Sequence, residues 1–395
     1  MKLEYSKAVR LATLLILAVS VILTSSQLRA DTGTCGGSSI TPPFTDVVNS
    51  NIFFCAIAEA YSSGLTNGTS PTTYSPSQNV SRDQMAAFIT RTLDQSLRRG
   101  SRRAALNQWY TPKSNFLQKR TQVGDQPFGV ACDGADVWVT NLASHSISRV
   151  RASDGKLLET WTGPAAMRGV CVAGGRVYAV GGSSPGQLYM LDPSQPVGPV
   201  TVSIGELVDA PNRVTSDGFS IWATGGNGVS KASPDGIVAQ TFTAGFSIPL
   251  GILYDGSNIW VCDKGDNMLK KLNANGAVIQ EVPVGLSPID PVFDGVNIWV
   301  PNNSSGSVTV VRAETGQVIA TLTGNGLTDP RSAAFDGDRI LVTNLNGNSV
   351  SLWRATNLAP LGSYSFLPNS MPNAVCSDGA NFWVLLQTAD ALARF

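Results

Sequence analysis

From Pro127 onward one pattern returns seven times: a proline, a few apolar residues, an Asp-Gly pair, two or three residues, then an aromatic followed by a valine. The pairs are Asp133-Gly134, Asp217-Gly218, Asp255-Gly256, Asp294-Gly295, Asp336-Gly337 and Asp378-Gly379, with Ala173-Gly174 in the second unit. Successive pairs lie 38 to 44 residues apart. A period near 40 made of short strand-type runs is the mark of propeller blades rather than of a helical solenoid. The fourth unit reads as four strands: Leu250–Tyr254, Asn258–Cys262, Met268–Leu272 and Ala277–Val282, with turns at Asp255-Gly256 and Asn275-Gly276. Both turns are expected to be type I′, which needs positive φ at both central residues. The aromatic is Trp138, Tyr178, Trp222, Trp260, Trp299 or Trp383, with Leu341 in the sixth unit. One large flat side chain per blade is what blade-to-blade packing requires, so these residues read as structural. The seventh unit stops after three strands at Phe395, and the segment 116–123 ahead of the first unit is expected to complete it. The fold class is therefore mainly β, a seven-bladed β-propeller, behind a small α-helical N-terminal module.

Lys plus Arg and Asp plus Glu are 28 each, so no global field recruits nucleic acid, and a monomer is expected. At the N-terminus Lys2, Lys7 and Arg10 precede an apolar run from Leu11 to Leu23 and a polar stretch ending at Ala30. That order reads as a secretory signal, shorter in its apolar part than a bilayer-spanning helix, with retention as an anchor the alternative. No second hydrophobic span follows, so no transmembrane span is expected in the mature chain, and the expected location is secreted, periplasmic or cell-surface. Export permits disulfides. Cys35 and Cys55, the only cysteines of the N-terminal module, are the candidate pair, although spacing alone does not set connectivity. The resulting division is signal 1–30, module 31–97, basic linker 98–115 and propeller 116–395. The linker's Arg98, Arg99, Arg102 and Arg103 read as a solvated helix end, with contact to anionic wall polymer, lipid head groups or nucleic acid the alternative.

Within the module, Phe44-Thr45-Asp46-Val47, Ala56–Ala60, Gly64–Gly68, Tyr74-Ser75-Pro76 and Val80–Phe88 follow one another. Ser81 and Gln84 make a capping box ahead of a helix whose apolar face is Met85, Phe88, Ile89 and Leu93. This succession resembles one S-layer homology repeat. The resemblance implies binding to cell-wall polymer or peptidoglycan, with Arg82 at the anion-contacting edge. Ser81 and Asp83-Gln84 depart from the family's Thr-Arg-Ala-Glu, and one repeat stands where three usually cooperate.

Val137–Asn141, Asn258–Asp263 and Glu314–Ile319 resemble YVTN and NHL-type propeller repeats, a likeness shared with streptogramin lyase-like propellers. Such propellers gather two sets of loops around one channel mouth. By that rule Arg168, Arg213, Asp263, Asp290, Asn302, Arg331 and Asn344 are the candidate ligand-binding residues. Three arginines with amides and carboxylates suit a small anionic or sugar-like ligand, or an unknown protein partner. Catalysis is harder to support. His145 is the only histidine, and no nucleophile elbow, phosphate loop or Cys/His metal spacing occurs. No metal site or cofactor is expected for a binding scaffold. The alternative is a streptogramin lyase-like or gluconolactonase-like enzyme acting on a lactone or cyclic ester, which would need a divalent cation held by oxygens from several blades.

Overall fold

The Asp that opens each A–B turn and the Trp five residues later form one hydrogen-bonded unit. In a computed structural model, which describes residues 29–35, 38–62, 66, 68–82, 85, 120–163, 166–182, 184–234 and 238–395, one Asp294 oxygen accepts the backbone N–H of Val296 (2.9 Å) and Asn297 (2.8 Å). Its other oxygen accepts the indole N–H of Trp299 at 2.9 Å. The same link joins Asp133 to Trp138, Asp217 to Trp222, Asp255 to Trp260 and Asp378 to Trp383. In blade 6, where Leu341 replaces Trp, Asp336 takes the Arg339 guanidinium instead, at 2.8 Å. In blade 2, where Ala173 replaces Asp, the Tyr178 hydroxyl donates to the Pro234 carbonyl at 3.1 Å.

The backbone angles correct the expected turn type. Only the glycine has positive φ, +92° at Gly295 and +94° at Gly134, while the aspartates do not. A single glycine at the first central position is the type II′ requirement, and the Asp is spent on side-chain bonds that hold the turn. The C–D turn differs again: Gly276 has φ +78° without positive φ at Asn275 and follows the central pair, its N–H bonded to the Asn273 carbonyl at 2.9 Å.

Each blade is a four-stranded antiparallel sheet with the A strand innermost, and in six of the seven the strands follow chain order. Blade 4 runs Pro249–Tyr254, Ile259–Asp263, Met268–Leu272 and Val278–Pro283, each within a residue or so of the sequence reading. Blade 7 takes Pro372–Ser377, Phe382–Leu386 and Ala391–Arg394, and its outer strand is Arg120–Gln122 from the other end of the ring. Arg120, Thr121 and Gln122 pair with Ala393, Leu392 and Ala391. This pairing gives the last blade the outer strand its own segment lacks.

Apolar residues collect between blades, and each of the seven interfaces has its own cluster. Trp138 packs on Met167 and Val170 of blade 2, Tyr178 on Val214 and Ile221 of blade 3, and Trp222 on Ile252 and Val261 of blade 4. Trp260 meets Ile298 and Val300, Trp299 meets Ile340 and Val342, and Leu341 meets Phe382 and Val384. Trp383 closes the ring against Val137 and Val139 of blade 1. In four blades a cation on strand C also covers the indole: Arg149, Lys231, Lys271 and Arg394 lie 4.9 to 5.8 Å from the ring centre.

The chain forms two compact units, one within residues 1–93 and one within 94–395. In the first, a two-stranded ribbon (Gly33–Cys35 with Ser38–Ile40) and a helix (Phe54–Ser62) are joined by a Cys35–Cys55 disulfide. Phe44 and Val47 are fully buried, with Phe44 against Tyr61 and Tyr74. Asp46 accepts the N–H groups of Tyr74 (2.8 Å) and Ser75 (2.7 Å), so the Phe-Thr-Asp-Val sequence supplies both the core and the clasp of this unit. The signal (through residue 28), the basic linker, and the second helix apart from Arg82 and Met85 lie outside the described residues. Among the described residues no helix is long and apolar enough to cross a membrane.

Candidate functional site

Two rings of side chains at the start of the A strands build the channel mouth. The residue after the recurring proline (Met167 in blade 2) is Phe128, Arg168, Asn212, Leu250, Ile289, Arg331 or Asn373, and the next is Gly129, Gly169, Arg213, Gly251, Asp290, Ser332 or Ala374. The second ring is mostly small because adjacent A strands nearly touch: a Cβ on Gly129 would overlap the Arg168 carbonyl oxygen, and one on Gly251 that of Ile289. The first ring is pinned by strand B hydroxyls of the preceding blade. Thr140 donates to the Arg168 carbonyl, Thr224 to that of Leu250, and Thr343 to that of Asn373.

Only Arg213 and Asp290 put charge in the second ring, and they meet. Arg213 Nε and Nη2 donate to the two Asp290 oxygens at 2.7 Å each, a bidentate pair linking blade 3 to blade 5 in front of Gly251. The remaining Nη1 donates to Asn212, and the guanidinium lies 4.9 Å from the Phe128 ring centre in blade 1. Blade 5 frees Asp290 for this role because Pro291 lacks an N–H, which leaves Val292–Phe293 as its whole inner strand. The Asp290 N–H bonds to the Arg331 carbonyl of blade 6 instead, at 3.1 Å.

This ion pair bars the channel. Beyond it lies a space of about 140 Å³ lined by Gly129, Gly169, Ser332 and Ala374. Toward the mouth lies a cup of about 290 Å³. Its walls are Phe128, Leu142, Leu250 and Ile289, and its polar groups are Arg168, Arg331, Lys264 and Asn212 above the Arg213 bar. No carboxylate lines the cup. Arg331 Nε is buried without a hydrogen-bond partner. Burial lowers the pKa of Arg331, and the charge of Arg213 lowers it further against the pull of Asp290, yet a guanidinium stays protonated.

The structure thus brings Arg168, Arg213, Asp290 and Arg331 to one place and puts Asp263, Asn302 and Asn344 elsewhere. These three are the last residues of their B strands, fully buried rather than in loops. Asn302 Nδ2 donates to Ser307 (3.2 Å) and Thr309 (2.9 Å), and Asn344 Nδ2 to Ser349 (3.1 Å) and Ser351 (2.9 Å). Asn141 does the same with Ser146 and Ser148. In blade 4 the pair is Asp263 and Lys270, bonded at 2.9 Å with side chains 0% and 1% exposed. Asp263 also accepts the N–H groups of Ser247, Ile248 and Gly265. Burial alone would raise its pKa, but Lys270 and the backbone donors hold it below the usual carboxylate range.

A readable signal exists for this role: Asn followed by Ser five residues later and Ser or Thr seven residues later, with Asp and Lys filling the first and last places in blade 4. Lys264 lines the cup, whereas Asn373, though it follows the recurring proline of blade 7, is fully buried outside the lining with its amide unpartnered. His145 is exposed and lies outside the cup lining. Among the described residues no three His, Cys, Asp or Glu side chains come together to hold a metal. Arg82 is exposed.

Residues 43–86 match the S-layer homology domain, which points to attachment at the cell surface and to cell-wall polymer as a partner. No curated protein sequence matches the chain. Among solved structures, the propeller is similar to virginiamycin B lyase from Staphylococcus aureus, with 16% identity and TM-score 0.59 over 70% of this chain and 97% of that one. It is similar to a streptogramin B lyase (17%, TM-score 0.59, 71% and 99% covered). It is also similar to the WD40 propeller domain of Doa1 (14%, TM-score 0.60, 71% and 95% covered). At these identities the likeness establishes the propeller fold and leaves the ligand to the site.

Proposed function

We propose that this protein is an exported receptor of the cell envelope, a propeller that binds a ligand at its channel mouth while the S-layer homology domain holds it to cell-wall polymer. The observation that carries this reading is the composition of the cup. Its polar groups donate hydrogen bonds and positive charge, and none of them accepts a proton at neutral pH, so it is equipped to hold a ligand rather than to transform one. The two carboxylates among the candidate mouth residues are committed, Asp290 to Arg213 and Asp263 to Lys270. The anchor is tested by co-sedimentation with purified cell-wall sacculi that retain their secondary polymer. The full chain is expected in the pellet, and a chain lacking residues 43–86 in the supernatant. Equal partition of the two overturns the anchoring reading. Arg82→Ala is expected to weaken pelleting without unfolding the domain, since its side chain is exposed.

A further inference from the structure

The cup offers more positive charge than the protein itself consumes. Arg213 is largely committed: Asp290 takes two of its N–H groups, Asn212 takes Nη1, and Phe128 covers its face. Arg168 and Arg331 line the same cup with no hydrogen-bonded or ion-paired acceptor among the described residues, and Lys264 stands exposed at the rim. Arg331 Nε is cut off from water with no acceptor while both side chains stay half-buried at the cup, and an unmet buried donor on a cation suits a counter-charge that arrives from outside.

We propose that the cup binds a small organic carboxylate with an apolar body, its oxygens taken by Arg168 and Arg331; the inference deepens the receptor reading and rests on it. The forked guanidinium matches a planar carboxylate. Phe128, Leu142, Leu250 and Ile289 face the rest of the ligand. A hydroxyl-rich sugar fits poorly, because its O–H donors need acceptors and Asn212, the one side-chain acceptor of the lining, is already used by Arg213. At about 290 Å³ the cup lies at the small end of ligand pockets, which limits the occupant to a compact molecule. The Arg213–Asp290 pair serves as a floor that keeps the anion from passing down the channel.

The test is isothermal titration of the full chain with benzoate and hexanoate, against benzamide, hexanamide and inorganic phosphate as probes. Both carboxylates are expected to bind, and the neutral amides and phosphate to bind at least about tenfold more weakly, since they lack either the charge or the apolar body. Arg331→Met and Arg168→Met are each expected to weaken carboxylate binding about tenfold or more, while exposed Lys156→Met leaves it unchanged. The two arginine variants sit on different blades, so a folding defect in one, detected by its unfolding curve, leaves the other to decide. Amides binding as well as carboxylates, or both arginine variants binding like the wild type, overturns the inference. Absence of carboxylate binding with pelleting on sacculi intact also overturns it and leaves the anchor standing. Loss of pelleting with carboxylate binding intact overturns the anchor alone.

Discussion

Asp263→Ala is expected to cost about 3–5 kcal/mol of stability in urea unfolding at neutral pH, because it leaves the Lys270 ammonium, 1% exposed, without its buried partner. Asp266, 43% exposed, also reaches Lys270, but it cannot replace the three backbone N–H bonds that Asp263 accepts. The pH dependence has a fixed sign. The folded-state pKa of Asp263 is depressed, so its contribution is complete above the unfolded value of about 3.9 and is lost as pH falls through the lower folded value. The gap between wild type and Asp263→Ala should therefore close on acidification below about pH 4. The double variant Asp263→Asn with Lys270→Thr is expected to recover most of the loss, because it writes into blade 4 the pairing that Asn302 and Thr309 make in blade 5. A double variant no more stable than Asp263→Ala would show that the two pairings are not equivalent.

Asp294→Ala is expected to cost about 2–4 kcal/mol by the same measurement, since two buried donors, the Asn297 N–H and the Trp299 indole, lose their acceptor together with the partly buried Val296 N–H. Asp133 makes the matching bonds in blade 1 but is exposed, so water can take its place and Asp133→Ala is expected to cost only about 1 kcal/mol. Equal losses at the two sites would assign the effect to the turn backbone rather than to the buried indole link.

The contrast marks what the chain's own pattern could and could not disclose. Blade number, strand positions and the packing role of Trp138, Trp222, Trp260, Trp299 and Trp383 were legible because each depends on residues within one repeat. The turn type was misread, since Asp-Gly is shared by two turn classes and here the Asp stands before the two central residues, with the glycine the first of them. The mouth was half legible. Residue type located Arg168, Arg213, Asp290 and Arg331, but the Arg213–Asp290 bond spans 77 residues and no local spacing announces it. Asn302 and Asn344 were read as loop residues because an amide beside a turn looks solvated. Their serine and threonine partners five and seven residues later bury them in the blade.

That division decides what the propeller can do. With Asp263, Asn302 and Asn344 in the blade walls, the mouth keeps a barred channel and a cationic cup. The most direct test of that claim is anomalous diffraction from crystals of the protein soaked in sodium bromide. A bromide peak in the cup, contacting Arg168 and Arg331 and absent from the Arg331→Met variant, is the expected result. Bromide at exposed lysines and arginines with none in the cup would contradict it, and the mouth would then be no more than a closed end of the channel.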